Sequence, residues 1–200
     1  MRNSHVPDGA RAPSRAARPI VAFQGESGAF GESAAEALVR GPLALVPTAT
    51  FDDAVAMVLD GLADFAVIPV ENLIAGEVFE ATELLARAEG RIDQIAEHRL
   101  PIQLALLGLP GTRVEELREV LSHPVALRQC TRFFAEHPSI HAIEAHDTAG
   151  AARMVAIRRD RSVAAVAAPW AAERYGLTVL AEGLEDRTEN WTRFVLVRRT

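Results

Sequence analysis

The chain has 200 residues, 49% of them hydrophobic and 24% charged, enough to bury a substantial core in one large domain or two small lobes. No apolar run approaches the roughly 18 residues of a membrane span, and the N-terminus lacks the apolar stretch of a secretory signal, so the expected address is the cytoplasm. The 21 basic residues are all arginine, which leaves no amine for Schiff-base chemistry and no P-loop lysine.

A formal charge of −6 argues against nonspecific nucleic-acid binding. An anionic small-molecule substrate must therefore find a local basic pocket, for which the arginine fork is suited. The single cysteine, Cys130, allows no internal disulfide and no cysteine-rich metal site.

Residues 1–19 hold four arginines, one aspartate and three prolines without apolar periodicity, and are expected to form a disordered leader. From Pro19 onward short apolar runs alternate with amphipathic stretches. Ile20–Phe23 is a predicted strand, followed by Gly25, Gly28 and a helix through Val39. Leu43–Val46 is a second strand; Thr50-Phe51-Asp52-Asp53 then has the N-cap and acidic first turn of a helix ending near Gly61. Phe65–Val70 is a buried strand, Gly76–Ala88 a helix, and Arg91–Leu107 a long extended stretch broken at Pro101.

Beyond Pro110-Gly111 the pattern predicts helices over 114–121, 125–136, 147–158 and 169–175, a short turn or strand at Ser122-His123, and strands at 139–145, 163–168, 177–182 and 191–198. This alternation implies two α/β lobes, with 20–98 plus 183–200 in the first and 99–182 in the second.

Several segments carry polar groups where chemistry could sit. Gln24-Gly25-Glu26-Ser27-Gly28 lies between a strand and a helix, where backbone N–H groups receive an anion, although a tight glycine turn explains it equally. Glu71 and Asn72 follow the buried strand 65–70, at the carboxyl end where open parallel sheets place ligands. His123 is a candidate for substrate hydrogen bonding, whereas Cys130, after Gln129, reads as a small core residue. His141 and His146 have no carboxylate to complete a metal set. Asp147 and Thr148 open a helix, as a cap or as a ligand contact. In Asn190-Trp191-Thr192-Arg193-Phe194, strand alternation puts Thr192 and Phe194 on one face and Trp191 and Arg193 on the other.

Taken in order, VAFQGESGAFGESA, TFDDAVAMVLDGLADFAVIPVEN, IAGEVFE, EHRLPIQLALLGLPG, LSHPVALRQC, DTAGAA and LEDRTENWTRFVLV resemble the prephenate dehydratase family over about 20–198. The resemblance implies a two-lobed α/β fold similar to type II periplasmic binding proteins, with the active site in the cleft between lobes. It also implies loss of the prephenate ring hydroxyl as water and the ring carboxylate as CO2, without metal, redox cofactor or other cofactor. Arogenate, the amino analogue, is the alternative substrate.

By the resemblance, Thr192 assists departure of the hydroxyl, Arg193 holds a carboxylate and Phe194 packs the cleft. Asn190, Glu71, Asn72, His123, Gln129, Thr148, Gln24 and Gly25 fall on positions near the family's site. The family's usual Glu-Asn-Ser is Glu71-Asn72-Leu73 here, and the chain ends at Thr200 where many relatives continue into a phenylalanine-binding ACT domain, so feedback inhibition is not expected. Relatives are commonly homodimers or homotetramers. Two other readings are a prephenate decarboxylase that does not aromatise the ring and a noncatalytic small-molecule-binding module.

Overall fold

Strand β9, Val163–Ala167, is buried at every position, and its neighbours explain why. Val163, Ala165 and Ala167 face one helical layer while Ala164 and Val166 face another, as the two-residue period of a strand dictates. The same sandwich recurs across a computed structural model that describes residues 18–200. The expected leader, apart from Arg18 and Pro19, lies outside the described residues.

In chain order the first elements are β1 (Ile20–Gln24), α1 (Phe30–Leu38), β2 (Ala44–Thr48), α2 (Phe51–Leu59), β3 (Phe65–Asn72), β4 (Gly76–Glu77), α3 (Phe79–Arg87) and β5 (Ile92–Pro101). There follow β6 (Ala105–Gly108), β7 (Glu119–Ser122), α4 (Pro124–Leu127), α5 (Thr131–Glu136), β8 (His141–Glu144) and α6 (Thr148–Arg158). After β9 come α7 (Ala171–Tyr175), β10 (Thr178–Glu182) and β11 (Trp191–Arg199).

One sheet has the order β2-β1-β3-β11-β5, with β4 beside β3, and the other β10-β6-β9-β7-β8. In the first, α2 and α3 cover one face through Val55, Val58 and Leu84, while α1 covers the other through Ala34 and Ala35. In the second, α6 and α7 pack on one face and α4 and α5 on the other. These are two α/β lobes, as the sequence led us to expect. The chain crosses between the sheets at Pro101–Ala105 and again at Glu182–Trp191. Both crossings leave from or return to β5 and β11, at one edge of the first sheet, so β1 and β2 lie on the far side.

Thr50 caps α2 in a reciprocal capping box with Asp53, as its sequence signature predicts. Three expected helices differ. Over 114–121 only Val114–Glu116 is helical, as a single 3-10 turn, and Glu119–Ser122 is strand β7. The apolar spacing of Val114, Leu117, Val120 and Leu121 imitates a helix, but β7 pairs in parallel with both β8 and β9, and pairing on two sides outweighs local preference. The expected helix 125–136 is two, separated by Cys130 at φ −119° and ψ 34°. The expected start of helix 76–88 is instead the short strand β4.

Leu106 is fully buried in the second lobe, whereas Leu62 is 61% exposed. Leu106→Ala should lower the unfolding free energy by about 2–5 kcal/mol. Leu62→Ala should change it by about 0.5 kcal/mol or less, both read from chemical denaturation curves.

Candidate active site

A cleft of about 390 Å³ lies between the lobes, within the range of small-molecule sites of about 300–1,000 Å³. Its walls are largely apolar, with Phe30, Val67, Pro69, Ile102, Leu104 and Phe194 among them. Polar groups reach it from the ends of strands and the starts of helices. Gln24 and Gly25 end β1, Asn72 ends β3, Thr192 begins β11, and Thr50, His123, Asp147 and Thr148 stand at helix N-termini.

Thr192 is aimed by its strand. Thr192 pairs with Asn72, Arg193 with Glu71, and Phe194 with Pro69, so β3 carries an extra residue at Val70. Pro69 has no N–H to give to the ladder, and the bulge accommodates it. Thr192 and Phe194 line the cleft as a pair.

The Asn72 carboxamide ties this corner together. Its Nδ2 donates to Thr192 Oγ1 at 2.9 Å, Asn190 Oδ1 at 3.1 Å and the Trp191 carbonyl at 3.2 Å. Its Oδ1 accepts from the N–H groups of Ile74 and Ala75 at 3.0 and 2.8 Å. Asn190, buried behind the cleft, donates from Nδ2 to Gln129 Oε1 of the second lobe at 3.1 Å. Thr192, Asn72, Asn190 and Gln129 thus form one hydrogen-bonded path from lobe to lobe.

Arg193 is turned away. Its Nε donates to Glu71 Oε2 at 3.1 Å and its Nη1 to Glu97 Oε2 at 3.3 Å, across the sheet face opposite the cleft. That face also holds Arg99, whose guanidinium stacks 4.5 Å over the Trp191 ring. The expected carboxylate-binding role of Arg193 and the expected place of Glu71 near the substrate are corrected accordingly. Strand alternation commits both side chains to the outer face, where they neutralise each other.

On the opposite wall, His123 Nδ1 accepts from the Val125 N–H at 3.2 Å, so its proton sits on Nε2, available as a donor. Burial, aided by the Arg128 guanidinium, pushes its pKa below the ordinary value and keeps the ring neutral. His146 Nε2 donates to the Ala49 carbonyl of the first lobe at 3.1 Å, and Gln24 Nε2 lies 3.5 Å from the same nitrogen. Asp147 Oδ1 accepts from the Gly150 N–H at 2.7 Å and caps α6.

The family model for prephenate dehydratase matches residues 21–200. The chain belongs to the prephenate dehydratase family. It is 42% identical over 195 residues to an arogenate dehydratase of Petunia hybrida, an alignment covering 97% of this chain and 45% of that protein. It is 38% identical over 180 residues to a bifunctional N-acyl-homoserine lactone acylase/prephenate dehydratase of Komagataeibacter europaeus, covering 90% and 63%. Among solved structures, the prephenate dehydratase of Arthrobacter aurescens in complex with L-Phe superposes with a TM-score of 0.82 at 31% identity, covering 90% of this chain and 60% of that one. The chain spans about half the length of the plant relatives, 45% for the petunia enzyme.

Of the residues expected at a prephenate dehydratase site, Thr192, Phe194, Asn72, His123, Gln129, Thr148, Gln24 and Gly25 line one cavity. Asn190 reaches it only through Asn72 and Gln129, and Arg193 and Glu71 do not reach it. Leu73, where the family has serine, is 41% exposed and does not line the cavity. Ser122 is fully buried, its hydroxyl donating to the Val166 carbonyl at 2.6 Å. His146 and Ala49 were missed as a contact because they meet only across the cleft, 97 residues apart. No group of metal-ligating side chains occurs among the described residues.

Two measurements follow from these surroundings. A histidine whose folded pKa is lowered takes up its proton more readily when unfolded, so stability is full above the ordinary value of 6.5 and falls as the pH drops below it. His123→Asn, which retains a capping side chain, should show a shallower loss of unfolding free energy between about pH 7.5 and 5.5 than the parent. The Cys130 thiol is pushed up to about 12, by burial first and then by the charges of Asp186 and Glu185. A thiol reagent at about pH 8 should label it in denaturant and leave it unlabelled in the native protein.

Proposed function

We propose that this chain dehydrates and decarboxylates prephenate to phenylpyruvate, with Thr192 as the proton donor to the departing hydroxyl. The proposal includes a cytoplasmic address and a homodimeric or homotetrameric assembly. The observation that carries it is the bond from Asn72 to Thr192. Because Thr192 Oγ1 accepts from Asn72 and has no protein acceptor for its own proton among the described residues, that proton is free for a ligand in the cleft.

A threonine hydroxyl is a weak acid, and the Asn72 N–H supports the charge that develops on its oxygen as the proton leaves. The ring C–O bond breaks to release water, and the ring carboxylate leaves as CO2 with its bonding electrons entering the ring. Apolar walls favour the second loss, because a low-dielectric site disfavours the carboxylate and not neutral CO2. Aromatisation supplies the driving force, and solvent restores the Thr192 proton. The His123 Nε2 proton and the Gln129 carboxamide provide neutral contacts that orient the substrate.

Incubation of the purified protein with prephenate should yield aromatic phenylpyruvate, identified by its absorbance and proton NMR spectrum. A nonaromatic dihydro product would replace this proposal with simple decarboxylation, and tight binding without turnover would make the chain a binding module. Thr192→Val should lower kcat by about 10²–10⁴-fold with little change in KM. Wild-type turnover in that variant would remove Thr192 from the proton-donor role.

A further inference from the structure

The two crossings between the lobes are bonded to each other. The Leu104 N–H of the outgoing crossing donates to Glu185 Oε2 at 2.9 Å, and the Leu104 carbonyl accepts from the Leu184 N–H at 3.1 Å. The Ile102 N–H donates to the Asn190 carbonyl at 3.0 Å. Glu185 and Asn190 are buried, whereas Arg187, Thr188 and Glu189 between them are exposed. The returning crossing is therefore held at two points with an exposed loop between them.

Both ends of that loop meet on one residue. The Asp186 N–H donates to the Gln129 carbonyl at 2.6 Å, and Asn190 Nδ2 donates to Gln129 Oε1 at 3.1 Å. The main chain of Gln129 takes one end of 186–190 and its side chain takes the other. The Asp186 carboxylate then fixes the residues that follow Gln129. Its Oδ2 accepts from the Thr131 N–H at 3.0 Å and the Thr131 hydroxyl at 2.6 Å, and its Oδ1 accepts from the Arg132 N–H at 2.9 Å. Arg132 Nη2 in turn donates to the Glu185 carbonyl at 3.0 Å. Burial pulls the Asp186 pKa up, but the Thr131 hydroxyl and the two N–H groups outweigh it and hold the pKa below its ordinary value. The carboxylate is thus charged, and an acceptor, at neutral pH.

These bonds bear on the cleft through a directed path. Asn72 Nδ2 donates to Asn190 Oδ1, and Asn190 Nδ2 donates to Gln129 Oε1. Gln129 therefore lines the cavity with its Nε2 hydrogens free of any protein acceptor among the described residues. Displacing the Gln129 main chain would carry that carboxamide with it and withdraw the acceptor from Asn190, two residues before Thr192. Asp186 itself does not line the cavity.

Resting on the dehydratase reading, we propose that Asp186 is a positioning residue for that reaction. By holding Gln129 to Arg132 in place it presents the Gln129 carboxamide to Asn190 and to the cleft, and so sets the geometry of Thr192 without touching substrate. A small misplacement of reacting groups, caused far from the chemistry, costs turnover more than binding. The effect of Asp186 should therefore pass through Gln129 and appear in kcat.

Each variant is assayed with prephenate well below its own unfolding midpoint. Asp186→Ala should lower kcat about tenfold or more with KM within about twofold of the parent, and Asp186→Asn, which keeps one acceptor oxygen, should recover part of the loss. In a Gln129→Ala background Asp186→Ala should cost no more than about twofold further, because the side chain it positions is gone. If Asp186→Ala does not fold, Asp186→Asn takes its place in the cycle. Parent-like kcat, a loss confined to KM, or an undiminished loss in the Gln129→Ala background would overturn the proposal. Native-state hydrogen exchange needs no turnover and so separates this proposal from the dehydratase reading. The N–H groups of Ile102 and Leu73 donate to the carbonyls of Asn190 and Trp191. In Asp186→Asn they should exchange about tenfold faster than in the parent, while the amides of β1 stay within about twofold. Equal acceleration in β1 would show a loss of global stability alone and refute the positioning role. A parent that does not convert prephenate removes the dehydratase reading, and the exchange pattern then decides whether Asp186 orders the segment that carries Thr192.

Discussion

The Asn72 carboxamide has two donor hydrogens and three acceptors within hydrogen-bond distance, and one of those acceptors is the Thr192 hydroxyl. Around that group β3 ends, β11 begins and the turn through Ile74 and Ala75 is held. Each bond alone is worth only about 0.5–1.5 kcal/mol of stability, so their importance is directional. Together they fix which lone pair of the Thr192 oxygen is occupied and which way its proton can point. Through Asn190 and Gln129 the same group is hydrogen-bonded to the second lobe.

The lobes close on each other at the side of the cleft remote from the chain crossings. There the loop after β1 meets α7, with Tyr175 donating to the Ser27 carbonyl and Trp170 Nε1 to the Gly28 carbonyl, while Arg174 pairs with Glu32 at 2.9 Å. The closed space is apolar and carries few formal charges. Helix N-termini and neutral side chains face this space, and among the described residues no arginine side chain does.

Much of this was legible in the sequence. Short apolar runs alternating with amphipathic ones marked the α/β lobes, and strand periodicity put Thr192 and Phe194 on one face. The same periodicity already placed Arg193 on the opposite face, but the resemblance drew it toward the substrate; Glu71 and Glu97, partners 122 and 96 residues away, are what hold it outside. Most of strand β7 reads as helix in the sequence because Val114, Leu117, Val120 and Leu121 recur at helical spacing, and its two parallel neighbours overrule that pattern. Asp147 could be read as a cap from its position, but not as a wall of the cleft. That second property depends on Gly25 lying against it from the other lobe.

The central claim is that Thr192 and Asn72 act as one catalytic unit. A double-mutant cycle with Thr192→Val and Asn72→Asp tests it, since aspartate keeps the oxygen that holds the turn while removing the amide donors. If the hydroxyl works through its bond from Asn72, kcat/KM for the double variant should lie close to that of Thr192→Val alone. Losses that multiply independently would contradict the account.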